Sequence, residues 1–219
     1  MVVPAYNEAR VIGGVVEELV ARGHRVIVID DGSSDDTPAA ARRAGAVVLR
    51  HAVNRGQGAA LQTGITYALR NGAEHIVTFD SDGQHAAEDV DALVAPLIAG
   101  RADVVLGSRF IGSTEGMPRG RRTILGLAVL FTRVASGAKV TDTHNGLRAF
   151  TRAAAAKLDI QLDRMAHASE ILDQIVRHDL RFEEVPVHVR YTDYSRRKGQ
   201  SSLAALRILA DYVLGRWMR

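Results

Sequence analysis

Ile76-Val77-Thr78-Phe79-Asp80-Ser81-Asp82-Gly83-Gln84-His85 reads as a buried strand that stops abruptly at two carboxylates. Asp80 and Asp82 are two residues apart, so in extended chain their side chains leave the same face. Two like charges facing the same way repel, and a divalent cation relieves them. Hard oxygen donors suit Mg²⁺ or Mn²⁺, and Mg²⁺ is typically held by one or two carboxylates plus substrate phosphates. Gln84 offers a further neutral oxygen, and His85 reads as a neighbour of the ligands rather than one of them. Taken alone, the stretch is as well explained by a solvated acidic turn. The flanking sequence decides between the two.

Upstream, strand-like and helical patterns alternate. Val2 to Ala5 ends a first strand, followed by the polar Tyr6-Asn7-Glu8. Val11, Ile12, Val15, Val16, Leu19 and Val20 repeat at helical spacing, and Gly23 closes that helix. Arg25 to Asp30 is a second strand, apolar without alternation, as in a parallel sheet covered on both faces. It runs into Asp30-Asp31-Gly32-Ser33, where Asp30 reads as a cap for the loop. Thr37 then Pro38 predicts a helix start with Thr37 as the cap. Ala46 to Leu49 is a third strand. Asn54-Arg55-Gly56-Gln57-Gly58 opens a helix, and such a loop can cradle phosphate. It lacks the third glycine and the preceding first strand of a dinucleotide fingerprint.

Downstream, Glu88 to Ile98 is a helix interrupted by Pro96, and Ala102 to Gly107 is a fifth strand. This β-α alternation predicts an α/β fold: a doubly wound, mostly parallel sheet with helices on both faces and ligands at the carboxyl ends of the strands. Tyr6, Glu8, Asp31, Asp80, Asp82 and Arg109 all fall at that edge. Beyond Arg109 the pattern changes. A loop is expected over 112–120, a helix over 122–136, and a polar segment Thr141 to Arg148 leading into strand-like Ala149-Phe150. Short helices follow at 153–158 and 168–178, then an alternating strand over 182–191. A basic loop over 194–200 and a last helix over 201–218 complete the chain. With no repeat and no linker, one domain over 1–219 is expected.

The composition is that of an ordinary globular protein, with 47% hydrophobic and 24% charged residues and a formal net charge of +3 over 219 residues. Cysteine is absent, which excludes disulfides and thiolate metal sites. No apolar run reaches the ~18 residues of a spanning helix and no secretory leader is visible, so a cytoplasmic protein is expected. Arginines cluster with apolar residues over 119–136 and again over 190–219, which suits contact with an anionic or membrane surface. With aromatics at only 5%, those patches give little support to nucleic-acid binding.

Val3-Pro4-Ala5-Tyr6-Asn7-Glu8, Ile29-Asp30-Asp31-Gly32-Ser33-Ser34-Asp35, Asp80-Ser81-Asp82-Gly83-Gln84-His85, Gly107-Ser108-Arg109-Phe110 and Asp142 through Arg148-Ala149-Phe150 occur here in order. With them the chain resembles a family-2 glycosyltransferase of GT-A fold, of the polyprenyl-phosphate, dolichol-phosphate mannose synthase-like branch. The resemblance implies inverting transfer from a nucleotide-diphosphate sugar (GDP-mannose, UDP-glucose or UDP-GlcNAc) to a polyprenyl phosphate. Residues 1–110 would form the nucleotide-sugar half and 111–219 the acceptor half. Pro4, Tyr6, Glu8, Ile29 and Asp31 would line base and ribose. Asp80, Ser81, Asp82 and Gln84 would hold Mg²⁺ or Mn²⁺ and the diphosphate. Arg109 would reach the donor, and Asp142 and Arg148 would face the acceptor. In the late basic loop Arg196 matches a phosphate-binding arginine. The family's lysine position holds Ser202, so Arg197 or Lys198 is the expected substitute.

The residue types agree with that chemistry. A phosphate acceptor is already anionic and needs cations rather than a general base, which Arg109, Arg148 and Arg196 supply in bidentate form. A sugar-hydroxyl acceptor, the alternative, needs a carboxylate base, with Asp142 and Glu170 as candidates. The resemblance also implies a peripheral location on the cytoplasmic face of a membrane, compatible with a small membrane-protein partner or a homodimer.

Overall fold

Strand β1 (Val2–Ala5) lies inside the sheet, yet it contains a proline. Its pairing explains how. Met1 and Ala5 accept hydrogen bonds from Ile27 and Asp31 on one side, while Val2 accepts from Phe79 on the other. Alternation therefore turns the missing N–H of Pro4 away from β2 (Ile27–Asp30) and towards β4 (His75–Thr78). There the strands have already parted: β1 and β4 are paired only at Val2 and Thr78. The proline costs no ladder bond because it sits where a crevice opens.

The computed structural model describes residues 1–117, 120, 122–123, 125–126, 129–130, 133, 137, 139–162, 166–192 and 194. Among them, α1 (Ile12–Ala21), α2 (Thr37–Arg43), α3 (Gln57–Arg70) and α4 (Asp89–Ile98) separate β1, β2, β3 (Val47–Arg50), β4 and β5 (Val104–Glu115). Then follow β6 (Arg148–Thr151), α5 (Arg152–Ala155), α6 (Ala166–Arg177) and β7 (Phe182–Arg190). The sheet order is β3-β2-β1-β4-β6-β5-β7, parallel throughout except for β6, which runs antiparallel to both β4 and β5. The order reverses between β1 and β4, the place where doubly wound sheets bind ligands.

Strand alternation divides the core into two layers. Val3, Val28, Val77 and Val105 face one side with Ile12, Leu19, Val90 and Leu93 of α1 and α4. Val2, Ile29, Ile76 and Val104 face the other with Leu61 and Ile65 of α3 and Ile171 and Ile175 of α6. Both faces are covered, which is why these strands are apolar without a break. No helix among the described residues is long and apolar enough to cross a membrane.

The structure corrects two local expectations. Where a loop was expected over 112–120, β5 continues to Glu115. It stays paired with β7 through a register shift between Ser108 and Ser113. Gly112 permits this: a Cβ there would stand 2.2 Å from the Val187 carbonyl oxygen. Thr37 is not the cap of α2 but its first residue, with Asp36 in the cap position. Its hydroxyl is used elsewhere, accepting from Glu8 N at 2.7 Å. The expected basic loop and last helix, with Arg196, Arg197, Lys198 and Ser202, lie outside the described residues, as does most of 122–136.

Candidate active site

Asp80 stands just past the end of β4, at the mouth of the β1–β4 crevice. Its two oxygens are held separately: Oδ1 accepts from Gln57 Nε2 at 3.1 Å, and Oδ2 lies 3.2 Å from His85 Nε2. The His85 ring meets Phe79 edge-on, with centroids 5.7 Å apart. Gly146 closes the third side so tightly that a Cβ there would overlap the Asp80 carboxylate. Burial works against the Asp80 charge, but the His85 hydrogen bond and the positive field of His85, His167 and Arg148 outweigh it and hold the carboxyl below its ordinary range.

Asp82 is pushed the other way, up to about 6, by burial and then by the negative charge of Asp80. The Gln84 backbone N–H, donating to Asp82 Oδ1 at 3.0 Å, offsets only part of this. Ser81 between them is buried, and Gln84 is half-buried. Two neighbouring carboxylates that resist joint ionisation form a donor set that a hard cation relieves, so the residues present fit Mg²⁺ or Mn²⁺. Among the described residues no three His, Asp or Glu side chains gather to enclose a metal. A hard cation such as Mg²⁺ commonly takes one or two carboxylates and completes its coordination with water and substrate phosphate.

On the β1–β2 side, Tyr6 is 45% exposed at the edge while Pro4 is buried within its strand. Asn7 takes a left-handed conformation (φ 53°) and its Oδ1 accepts from Ser34 N at 2.9 Å, binding the two strand-end loops together. Glu8 is buried and accepts from the Tyr194 hydroxyl at 2.6 Å; burial first, and then the Glu8 carboxylate, raises that phenol's pKa. Asp30 turns back to accept from Ser33 N at 3.3 Å. Asp31 accepts from Arg55 N at 2.9 Å and Gly56 N at 2.7 Å, with His51 Nδ1 also 2.7 Å away. It thereby fixes the loop that opens α3. The Ile29 side chain is fully buried in the α3-facing core, where it holds β2 in place at this edge.

Arg109, expected to reach the donor, is buried, and its guanidinium is hydrogen-bonded within the protein. Its Nε donates to Asp142 Oδ2 at 2.6 Å, one terminal nitrogen to the Tyr191 hydroxyl at 2.8 Å, and the other to the His144 carbonyl at 2.9 Å. Asp142 in turn accepts from the Arg109 and His144 backbone N–H groups. Glu184 of β7 takes Thr141 N at 2.8 Å and its hydroxyl at 2.9 Å. Arg109, Asp142 and Glu184 thus shape the 141–148 segment. Arg148 is different: buried on β6, it donates to Thr143 O at 3.1 Å and lies in the field of Asp80 and Asp142. Burial draws its pKa down to about 10, against the pull of both carboxylates, and it remains a cation at neutral pH. Glu170 accepts from the backbone N–H groups of Gln161 and Leu162, at 3.1 and 2.7 Å.

Sequence reasoning missed Gln57, His51, Gly146 and Glu184. Gln57 and Gly146 stood inside quoted motifs, but nothing local distinguishes a glycine that clears a carboxylate from one that eases a turn.

Residues 1–159 match the model of glycosyl transferase family 2, and the chain belongs to that family. It is a glycosyltransferase with the GT-A fold. An uncharacterised protein of Methanocaldococcus jannaschii is 39% identical over 220 residues, covering 98% of this chain and 90% of that one. The UDP-N-acetylglucosamine–dolichyl-phosphate N-acetylglucosaminyltransferase of Methanococcus voltae is 33% identical over 231 residues, covering 95% and 92%. The crystal structure of glucosyl-3-phosphoglycerate synthase from Mycobacterium tuberculosis with Mn²⁺ and UDP-glucose superposes with a TM-score of 0.73. It covers 98% of this chain and 77% of its own at 24% identity, a likeness of fold.

Proposed function

We propose that the protein transfers a hexose or N-acetylhexosamine from a nucleotide-diphosphate sugar to a polyprenyl or dolichyl phosphate, with inversion and with Mg²⁺ or Mn²⁺. The observation that carries this reading is the Asp80–Asp82 pair at the β1–β4 crevice, with the buried cation Arg148 close by. The named acceptor of the Methanococcus voltae relative supports the lipid phosphate. The Mn²⁺ and UDP-glucose of the mycobacterial structure support the ion and donor class.

Asp80 and Asp82, with Gln84 beside them, would hold the ion. When bound, it neutralises charge on the departing diphosphate. The chain's own residues do the rest. Tyr6 and the loops of Asn7 and Asp31 shape the nucleotide end. Arg148 supplies fixed positive charge where two phosphates must approach each other. An acceptor phosphate oxygen attacks the anomeric carbon, and the bond to the diphosphate oxygen breaks with its electron pair leaving on the nucleoside diphosphate. One displacement inverts the centre, and an anionic nucleophile needs no base.

The hydroxyl-acceptor alternative would need a base, and its two candidates are engaged: Asp142 with Arg109, and Glu170 with the 161–162 backbone. A lipid acceptor places the reaction at a membrane surface, peripherally on the cytoplasmic face. Arginines among apolar residues over 119–136 and 201–219 suit that contact. A small membrane-protein partner or a homodimer would strengthen it.

The test offers the purified protein GDP- and UDP-sugars with Mn²⁺, with and without a short polyprenyl phosphate, and follows release of GDP or UDP. Release that requires the lipid phosphate and disappears in Asp82→Ala supports the reading and names the sugar. Release with a glycan but not the lipid overturns the acceptor.

A further inference from the structure

Asp80 is gripped from two directions. His85 reaches one oxygen from the loop that follows β4. Gln57 reaches the other from a distant part of the chain, as the first residue of α3. The residue before it, Gly56, has a positive φ of 92°. The backbone N–H groups of Gly56 and Arg55 donate to the Asp31 carboxylate at the end of β2. A short path therefore spans the sheet edge: Asp31 to the Gly56 N–H at 2.7 Å, one peptide link to Gln57, and Gln57 Nε2 to Asp80 at 3.1 Å.

Two further contacts hold this end of α3. His51 bridges Asp31 and the Thr63 hydroxyl of the same helix, at 2.7 and 3.0 Å. Gly58 lies on the Leu162 carbonyl so closely that a Cβ would stand 2.1 Å from its oxygen. The helix start cannot slide towards 162 and cannot rise from Asp31 without losing hydrogen bonds.

We propose that Gln57 is a positioning residue for Asp80, and that through it the first turn of α3 locks the nucleotide end of the site and the carboxylate pair into one geometry. The inference rests on reading Asp80 and Asp82 as the cation site. An amide suits this task. It occupies one lone pair of one oxygen and adds no charge that would compete with a cation. Partners behind a metal-ligating carboxylate are commonly worth about 10–100-fold in metal affinity. Because Asp31 holds the residues leading into α3 and Gln57 of its first turn holds Asp80, nucleotide held near Asp31 would tighten Mn²⁺ binding, and the link would carry that coupling.

The experiment measures Mn²⁺ affinity of the full chain by loss of the free-ion EPR signal, with and without UDP and GDP, alongside thermal unfolding. Wild type, Asp82→Ala, Gln57→Met and Gln57→Asn are compared. Methionine keeps the length of glutamine without the donor; asparagine keeps the amide but stops short of Asp80. The expected result is about 10-fold weaker Mn²⁺ binding in both Gln57 variants, with wild-type unfolding midpoints and a smaller tightening by nucleotide. Wild-type affinity and coupling in both Gln57 variants, with binding lost in Asp82→Ala, overturns this inference and leaves the cation site standing. No Mn²⁺ uptake by the wild type, with or without nucleotide, overturns both.

Discussion

Gly146 and Asp80 touch so closely that no other residue fits at 146: a Cβ there would lie 2.1 Å from Asp80 Oδ2 and 2.3 Å from Oδ1. Asp80 follows β4 and Gly146 precedes β6, and their contact follows from the antiparallel pairing of these strands, Thr78 opposite Arg148. The Thr78 hydroxyl, donating to the Gly146 carbonyl at 2.7 Å, fixes the approach.

Gly146→Ala should therefore displace the Asp80 carboxylate. A misplacement of ~1 Å at a reacting centre costs on the order of 100-fold, so kcat/KM should fall by about that factor. Mn²⁺ affinity should fall with it. Steady-state kinetics and Mn²⁺ titration read this directly. Wild-type kinetics in Gly146→Ala would mean that the Asp80 position is not critical.

Gly64→Ala is the matched control. Its Cβ would stand 2.4 Å from Val2 Cγ1 and 2.5 Å from Ile29 Cδ1, away from the carboxylates and under the middle of α3. Overpacking of this kind costs about 1–3 kcal/mol. The variant should unfold several degrees lower, with kcat close to wild type at a temperature where it is folded. Calorimetry and kinetics on the same sample separate the two glycines.

Asp82 should make the metal-free protein less stable as pH rises. Its folded value of about 6 lies above the ordinary 3.8, so the proton-bound form is favoured by folding. The corresponding stability is fully present below about pH 3.8 and is lost as pH rises through about 6. The ionised group then costs on the order of 1–3 kcal/mol. Asp82→Asn should raise the melting temperature at pH 7.5 in EDTA, and the gain should vanish near pH 4. Saturating Mn²⁺ should raise the melting temperature of wild type but not of the variant. A variant that melts no higher than wild type at pH 7.5 in EDTA would contradict the electrostatic account.

The Arg109–Asp142 pair is buried on both sides and 2.6 Å long. Breaking one partner of such a pair leaves a buried charge and costs about 3–5 kcal/mol. Arg109→Met should be destabilised by that amount in urea. Adding Asp142→Asn should recover much of the loss, because the amide oxygen can still accept from the Arg109 backbone while the orphan charge is gone. If the double variant is as unstable as the sum of the singles, the pair is not the source of the cost.

These residues also mark where local reading stops. The strands and helices of the first hundred residues were legible because burial on two faces writes unbroken apolar strands, and a helix with one buried stripe writes its period. The end of β5 was not, since a polar, glycine-containing run such as Gly112-Ser113-Thr114 looks like a loop until β7 pairs with it. Arg109 illustrates the same limit in the site. An arginine beside a strand end suggests a phosphate, and only the arrival of Asp142, Tyr191 and the His144 carbonyl commits its guanidinium to the protein.

By itself, then, the sequence determined the α/β alternation, the edge at which ligands gather, and the acidic pair at the end of β4. All three follow from hydrophobic periodicity and from residues adjacent in the chain. The tertiary structure alone decided that β6 would run antiparallel between β4 and β5, and with it the contact of Gly146 and the neighbourhood of Arg148; it also decided the packing of α3 that brings Gln57 to Asp80. Those depend on pairing between segments far apart in the chain, whose partners are chosen by the packing of the whole sheet rather than by any local pattern.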